Sequence, residues 1–153
     1  MTKAYRRPRV RAFRALFEAE FGDAPALIAL DRVLAEANIT DDQRAYARTL
    51  VNGVTAHCEA IDAYIAQYAP AWPVDQIAPV DRIVLRIALY ELLFNNAAVP
   101  IGMAINEAVE LAKTYGSEAS SRFINGVLGT VSRQCLPEPR APQPETEESR
   151  GPV

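Results

Sequence analysis

Five arginines fall within nine positions, Arg6, Arg7, Arg9, Arg11 and Arg14, with Lys3 ahead of them and no acidic residue before Glu18. In this 153-residue chain they are the residues whose type and spacing could do chemistry. A guanidinium offers a planar fork that grips phosphate and stacks on bases, so a cluster without counter-acids points to a polyanion. The first fourteen residues carry +6 and the remainder −9, from ten basic against nineteen acidic residues, a division hidden by the overall net charge of −3. Such asymmetry assigns the polyanion to one end of the molecule. A flexible basic segment of this kind can fold on single-stranded RNA. For stacking on bases, Phe13 and Phe17 lie on an apolar face, which leaves Phe123, beside Ser120, Ser121 and Arg122, as the candidate.

Other chemistry finds little support. His57 is the single histidine, which excludes histidine triads and two-histidine metal sites, and its place in the stripe Tyr46, Leu50, Val54, His57, Ile61, Tyr64, Tyr68 reads as a core imidazole. Cys58 and Cys135 are far apart and match neither a disulfide framework nor a zinc site, which fits a reduced, cytoplasmic setting. Asp41 with Asp42 reads as helix capping, and Glu107 with Glu110 as a solvated helix face. Gly126 and Gly129 follow no strand and so form no phosphate loop. No catalytic residue, metal or cofactor is expected. The basic N-terminus lacks the apolar stretch of a secretory signal, and no run of about 18 apolar residues could span a bilayer. The expectation is a soluble protein with no membrane association.

These side chains must be positioned by helices. The apolar share of the composition is dominated by alanine, which favours an all-α fold. Val10, Phe13, Leu16, Phe17 and Phe21 recur at helical spacing, while Arg7, Arg11 and Arg14 follow a second, polar face. Because proline is tolerated only in or before a first helical turn, Pro8 predicts a flexible basic arm over residues 1–7. A short helix is expected over 26–37, and a capping box, Thr40-Asp41-Asp42-Gln43, opens the longest helix, which runs to about Tyr68. Pro70 and Pro73 then bracket a linker around Trp72. Residues 80–94 are apolar almost all round, so Asp81, Arg82, Arg86 and Glu91 must be paired or sit at the helix edge. Pro100 starts the next helix, Gly116 ends it as a left-handed residue, and a last helix covers about 118–133. The helical domain is placed at 8–135, and the proline- and glutamate-rich segment 136–153 reads as a disordered acidic tail.

Taken together, RRPRVRAFRALFEAE, VDRIVLRIALYELL, VPIGMAINEAVELAKTYG and SRFINGVLG closely resemble the NusB family of bacterial transcription antitermination factors, over about residues 5 to 132. The resemblance implies an all-α fold of about seven helices forming two packed helical bundles. It implies pairing with NusE, which is also a small-subunit ribosomal protein, and binding of the single-stranded boxA element of ribosomal RNA transcripts within the RNA polymerase antitermination complex. It implies no catalysis. Carried over by position, Arg6, Arg7, Arg9 and Arg11 would contact RNA together with Lys3 and Arg14, Arg122 and Phe123 would extend that surface, and Phe17 and Asp81 would lie where the family meets RNA or NusE. Ala119 stands where many relatives have an acid, and Pro8 interrupts the arginine cluster. Two other readings follow from relatives: a helical accessory domain in ribosomal RNA maturation, and a self-associating module or homodimer.

Overall fold

Apolar residues three and four apart build seven helices among the described residues: α1 (Thr2–Phe21), α2 (Ala26–Ala35), α3 (Asp41–Ala56), α4 (Cys58–Tyr68), α5 (Pro79–Leu89), α6 (Ile101–Tyr115) and α7 (Ser120–Cys135). The structure, a computed structural model, describes residues 2–22, 24–36, 38–95 and 99–136, the first four as backbone alone. Of the acidic tail expected over 136–153, all but Leu136 lies outside the described residues. Helices α1, α2 and α3 pack on one another, α4 to α7 form a second group, and α5 touches α1, α3, α4, α6 and α7. One apolar core runs through both groups, from Phe13 and Leu30 through Leu50 and Leu85 to Leu128. The expected pair of packed bundles is therefore present.

The capping box forms as the sequence predicts: Thr40 Oγ1 accepts from the Gln43 amide at 3.1 Å, and Gln43 Oε1 accepts from the Thr40 amide at 3.0 Å. The helix it opens does not run unbroken to Tyr68. It bends at His57 (φ −108, ψ 17) while the His57 amide still bonds the Gly53 carbonyl and the His57 carbonyl accepts from Ile61. Since the apolar period passes through His57 undisturbed, periodicity alone does not reveal the bend. His57 itself is half-buried and stacks on Phe94, ring centroids 4.2 Å apart, rather than sitting in the core.

Pro79 occupies the first turn of α5 with Asp81 beside it, as the dipole favours. The helix continues as a π-helical turn, Tyr90–Phe94, whose wider winding turns three successive residues, Tyr90, Glu91 and Leu92, inward. Tyr90 lies against Gly53 of α3 so closely that a Cβ there would fall 2.2 Å from the ring. Gly116 ends α6 in an extended conformation (φ −102, ψ −166), not the left-handed one expected. Its role is spatial: a Cβ would lie 2.5 Å from Ser120 Oγ, which accepts from the Ser117 amide at the start of α7.

The buried Arg82 joins the halves. Its Nη1 donates to the Ile77 carbonyl at 2.8 Å and, less closely, to those of Val74 and Asp75 in the linker, while Nη2 donates to Glu20 of α1. Arg86 makes a bidentate pair with Asp62 of α4, both contacts 2.9 Å. Burial lowers the Arg86 guanidinium, but its bonds to Asp62 more than offset this and the net shift is upward. Both arginines are thus paired, as their apolar helix requires.

Candidate nucleic-acid interface

The basic cluster lies on α1, and the structure divides it. Backbone from Thr2 onward is already helical and Pro8 sits inside the helix, buried, so residues 2–7 of the flexible arm expected over 1–7 are part of α1. Two anchors hold this end. Arg9 is 1% exposed, and its Nε and Nη2 donate to Glu91 of the π-turn at 2.9 and 2.8 Å. Tyr46 Oη of α3 donates to the same carboxylate. Arg6 donates through Nε and Nη2 to Glu107 of α6 at 2.8 and 2.9 Å. The hydrogen bonds and charge of Glu107 raise the Arg6 guanidinium above its ordinary value.

Arg9 is therefore corrected from an RNA contact to a core residue, since a side chain so enclosed cannot reach a phosphate. Arg6 keeps 45% of its side-chain surface, yet the fork that would grip a phosphate already grips a carboxylate. Glu107, expected on a solvated face, is 1% exposed. Glu91, an acid in the almost wholly apolar stretch 80–94, signals a partner, but matching it to an arginine eighty-two positions away is beyond periodicity. The Lys3 side chain lies outside the described residues.

Arg7, Arg11 and Arg14 remain, at spacings that put them on one side of α1. Among the described residues none of them is held by an ion pair. Arg7 is exposed, with one hydrogen bond to the Asn38 carbonyl at 3.1 Å. The Nε of Arg11 is buried without a hydrogen-bond partner among the described residues. Arg14 lines a groove with Phe13, Phe17, Glu18, Val80 and Tyr115.

That groove brings together residues the sequence left apart. Tyr115 at the end of α6 stacks on Phe13 at 4.9 Å, Phe13 on Phe17 at 5.7 Å, and Phe17 meets Phe21 edge-on at 5.0 Å, so a row of four aromatic rings runs beside the arginine face. Tyr115 is 40% and Phe21 65% exposed. Sequence reading assigned neither a role; the apolar period of α1 placed Phe21 inside, and nothing local marks Tyr115. Val80 sits in the same groove, and its neighbour Asp81 has an Oδ1 that is buried without a hydrogen-bond partner among the described residues. Phe17 and the first turn of α5 therefore share one site.

Arg122 and Phe123 are placed differently. Arg122 is exposed in the first turn of α7 and lines a shallow groove with Gly102, Asn106, Ser121 and Asn125, between α6 and α7. Phe123 is half-buried against the core, so only part of its ring can meet a base. Four residues link Tyr115 at the end of α6 to Ser120 at the start of α7. Among the described residues no group of three histidine, cysteine, aspartate or glutamate side chains could hold a metal, and no helix is long and apolar enough to cross a membrane.

Comparison with known proteins agrees with this geometry. The NusB family model matches residues 6–133. The transcription antitermination protein NusB of Dehalococcoides mccartyi strain 195 is 43% identical over 133 residues, covering 87% of this chain and 92% of that protein. The solved structure of T. maritima NusB superposes with a TM-score of 0.81 at 36% identity, over 87% of this chain and 93% of its own. A chain from the crystal structure of antitermination factors NusB and NusE in complex with dsRNA superposes with a TM-score of 0.78 at 29% identity, over 87% of this chain and 98% of its own.

Proposed function

Because the chain belongs to the NusB family, we propose that it is a transcription antitermination factor that binds the boxA element of ribosomal RNA transcripts together with NusE. It works by binding, without catalysis, as a member of the RNA polymerase antitermination complex in the cytoplasm. The observation that carries this reading is the solved complex of NusB and NusE with RNA, whose fold matches across nearly all of the compared chain.

The arrangement of α1 supports it physically. Arg7, Arg11 and Arg14 meet the phosphate backbone, and Tyr115 and Phe21, the exposed ends of the aromatic row beside them, offer ring surface to unstacked bases. Arg122 and the exposed part of Phe123 extend the same surface, while Phe17 in the groove, and Asp81 next to its lining residue Val80, meet NusE or RNA. Ala119, at the N-cap of α7, puts no negative charge beside Arg122. The test is a titration of a boxA RNA oligonucleotide with this protein, with and without NusE. Tighter binding by the pair is expected; equal binding with and without NusE would overturn the pairing, and no binding in either case would overturn the RNA role.

A further inference from the structure

Glu107 is the buried acid whose place in the fold the RNA reading leaves unexplained. Its carboxylate, 1% exposed in α6, holds both Nε and Nη2 of Arg6, a bidentate geometry that a phosphate would otherwise adopt. A second carboxylate, Glu110, lies one turn further along α6, and both line the cleft between α6 and the start of α1 with Arg6, Val10 and Tyr115. A phosphate approaching Arg6 meets these two negative charges as well as a guanidinium whose charge is already balanced. The neighbouring arginines have no such partner: among the described residues, Arg7, Arg11 and Arg14 are in no ion pair.

We propose that Glu107 is an internal phosphate mimic: it withholds Arg6 from RNA, so that the affinity of the basic face is set below what its arginine count would allow. This rests on the RNA-binding reading above and adds to it an affinity-setting residue that never touches RNA. The competition is one for one. Binding a phosphate at Arg6 would strand a buried carboxylate, which is costly, whereas leaving Arg6 where it is costs the complex only one counterion release. The pair also fixes the first turns of α1 against α6, so the same contact that removes one charge holds the remaining three in register.

The test uses the intact chain and a single-stranded boxA RNA oligonucleotide, with affinity measured from low to high salt. Glu107→Gln keeps the shape of the side chain and removes its charge, which frees the Arg6 charge for phosphate. Each phosphate neutralised on a single strand adds roughly 0.7 to the slope of log affinity against log salt, which amounts to about fivefold in affinity at 0.1 M salt relative to 1 M. E107Q is therefore expected to bind about fivefold tighter than the unaltered chain at 0.1 M salt, with a slope steeper by roughly 0.7. A merely structural role for Glu107 predicts the opposite, weaker binding from a loosened α1. The double variant Arg6→Ala with Glu107→Gln leaves no unpaired buried charge and is expected to keep the slope of the unaltered chain. If the double variant is flatter than the unaltered chain, Arg6 contacts phosphate despite Glu107 and the proposal is wrong. Unchanged or weakened binding by E107Q, with the unaltered chain binding in a salt-dependent way, also overturns it while leaving the RNA role intact. Absence of salt-dependent binding by the unaltered chain overturns both.

Discussion

Arg9 and Glu91, eighty-two residues apart, form a bidentate ion pair whose side chains are 2% and 1% exposed, at the point where α1 crosses the π-helical turn. Removing one partner leaves the other charged and enclosed. Arg9→Met is expected to lower the unfolding free energy by about 3–5 kcal/mol, read from urea denaturation, while adding Glu91→Leu recovers part of the loss because no unpaired buried charge is left, although Tyr46 Oη loses its acceptor. A single variant as stable as the unaltered chain would show that Glu91 finds another cation.

The arginines of α1 that are in no ion pair among the described residues set a limit on salt dependence. With Arg7, Arg11, Arg14 and Arg122 each meeting one phosphate, log affinity for single-stranded RNA should fall with log salt at a slope of roughly −3. Arg7→Ala, at an exposed side chain, should flatten that slope by roughly 0.7 and leave thermal stability nearly unchanged. An unaltered slope would remove Arg7 from the interface.

Gly53 is where α3 admits the Tyr90 ring, and a methyl group there would sit 2.2 Å from it. Because Tyr90 is itself buried, the ring has little room to give way. Gly53→Ala is expected to destabilise the fold by about 1–3 kcal/mol, measured as a fall in the urea midpoint. A midpoint that does not move would mean that the ring swings aside freely.

Burial pushes the Cys58 thiol up, and the nearby Asp62 and Glu20 carboxylates push the same way against the opposing charge of Arg86. A raised thiol holds less thiolate at any given pH, and the thiolate is the nucleophile. In a Cys135→Ser background, alkylation of Cys58 by iodoacetamide should therefore rise at higher pH than for a free thiol. A profile at or below the free-thiol position would contradict that environment.

Much of the fold was legible because it rests on local rules. The capping box at Thr40, the turn at Pro79 and the apolar faces of α5 to α7 are readable from spacing, as each depends on residues within a few positions. The bend at His57 escaped because the apolar stripe passes through it undisturbed. The basic face was legible as a charge run, but its division was not. Arg6, Arg7 and Arg9 look alike in sequence, and only Glu91 and Glu107, brought in by packing, show that Arg9 is enclosed and Arg6 is held by an acid. Tyr115 and Phe21 were missed for the same reason, since a row of rings drawn from two helices has no signature in either one.

Arg82 holds three carbonyls of the linker in one hand and Glu20 of α1 in the other. The segment between α4 and α5 is thus tied to α5 and, through Glu20, to α1 by a single buried guanidinium. Such a hinge cannot flex by itself: loosening it uncovers the charge and frees α1 at the same moment. Native-state hydrogen exchange should accordingly register α1 and α5 opening as one unit, with the helix that carries the basic cluster protected by a residue of α5.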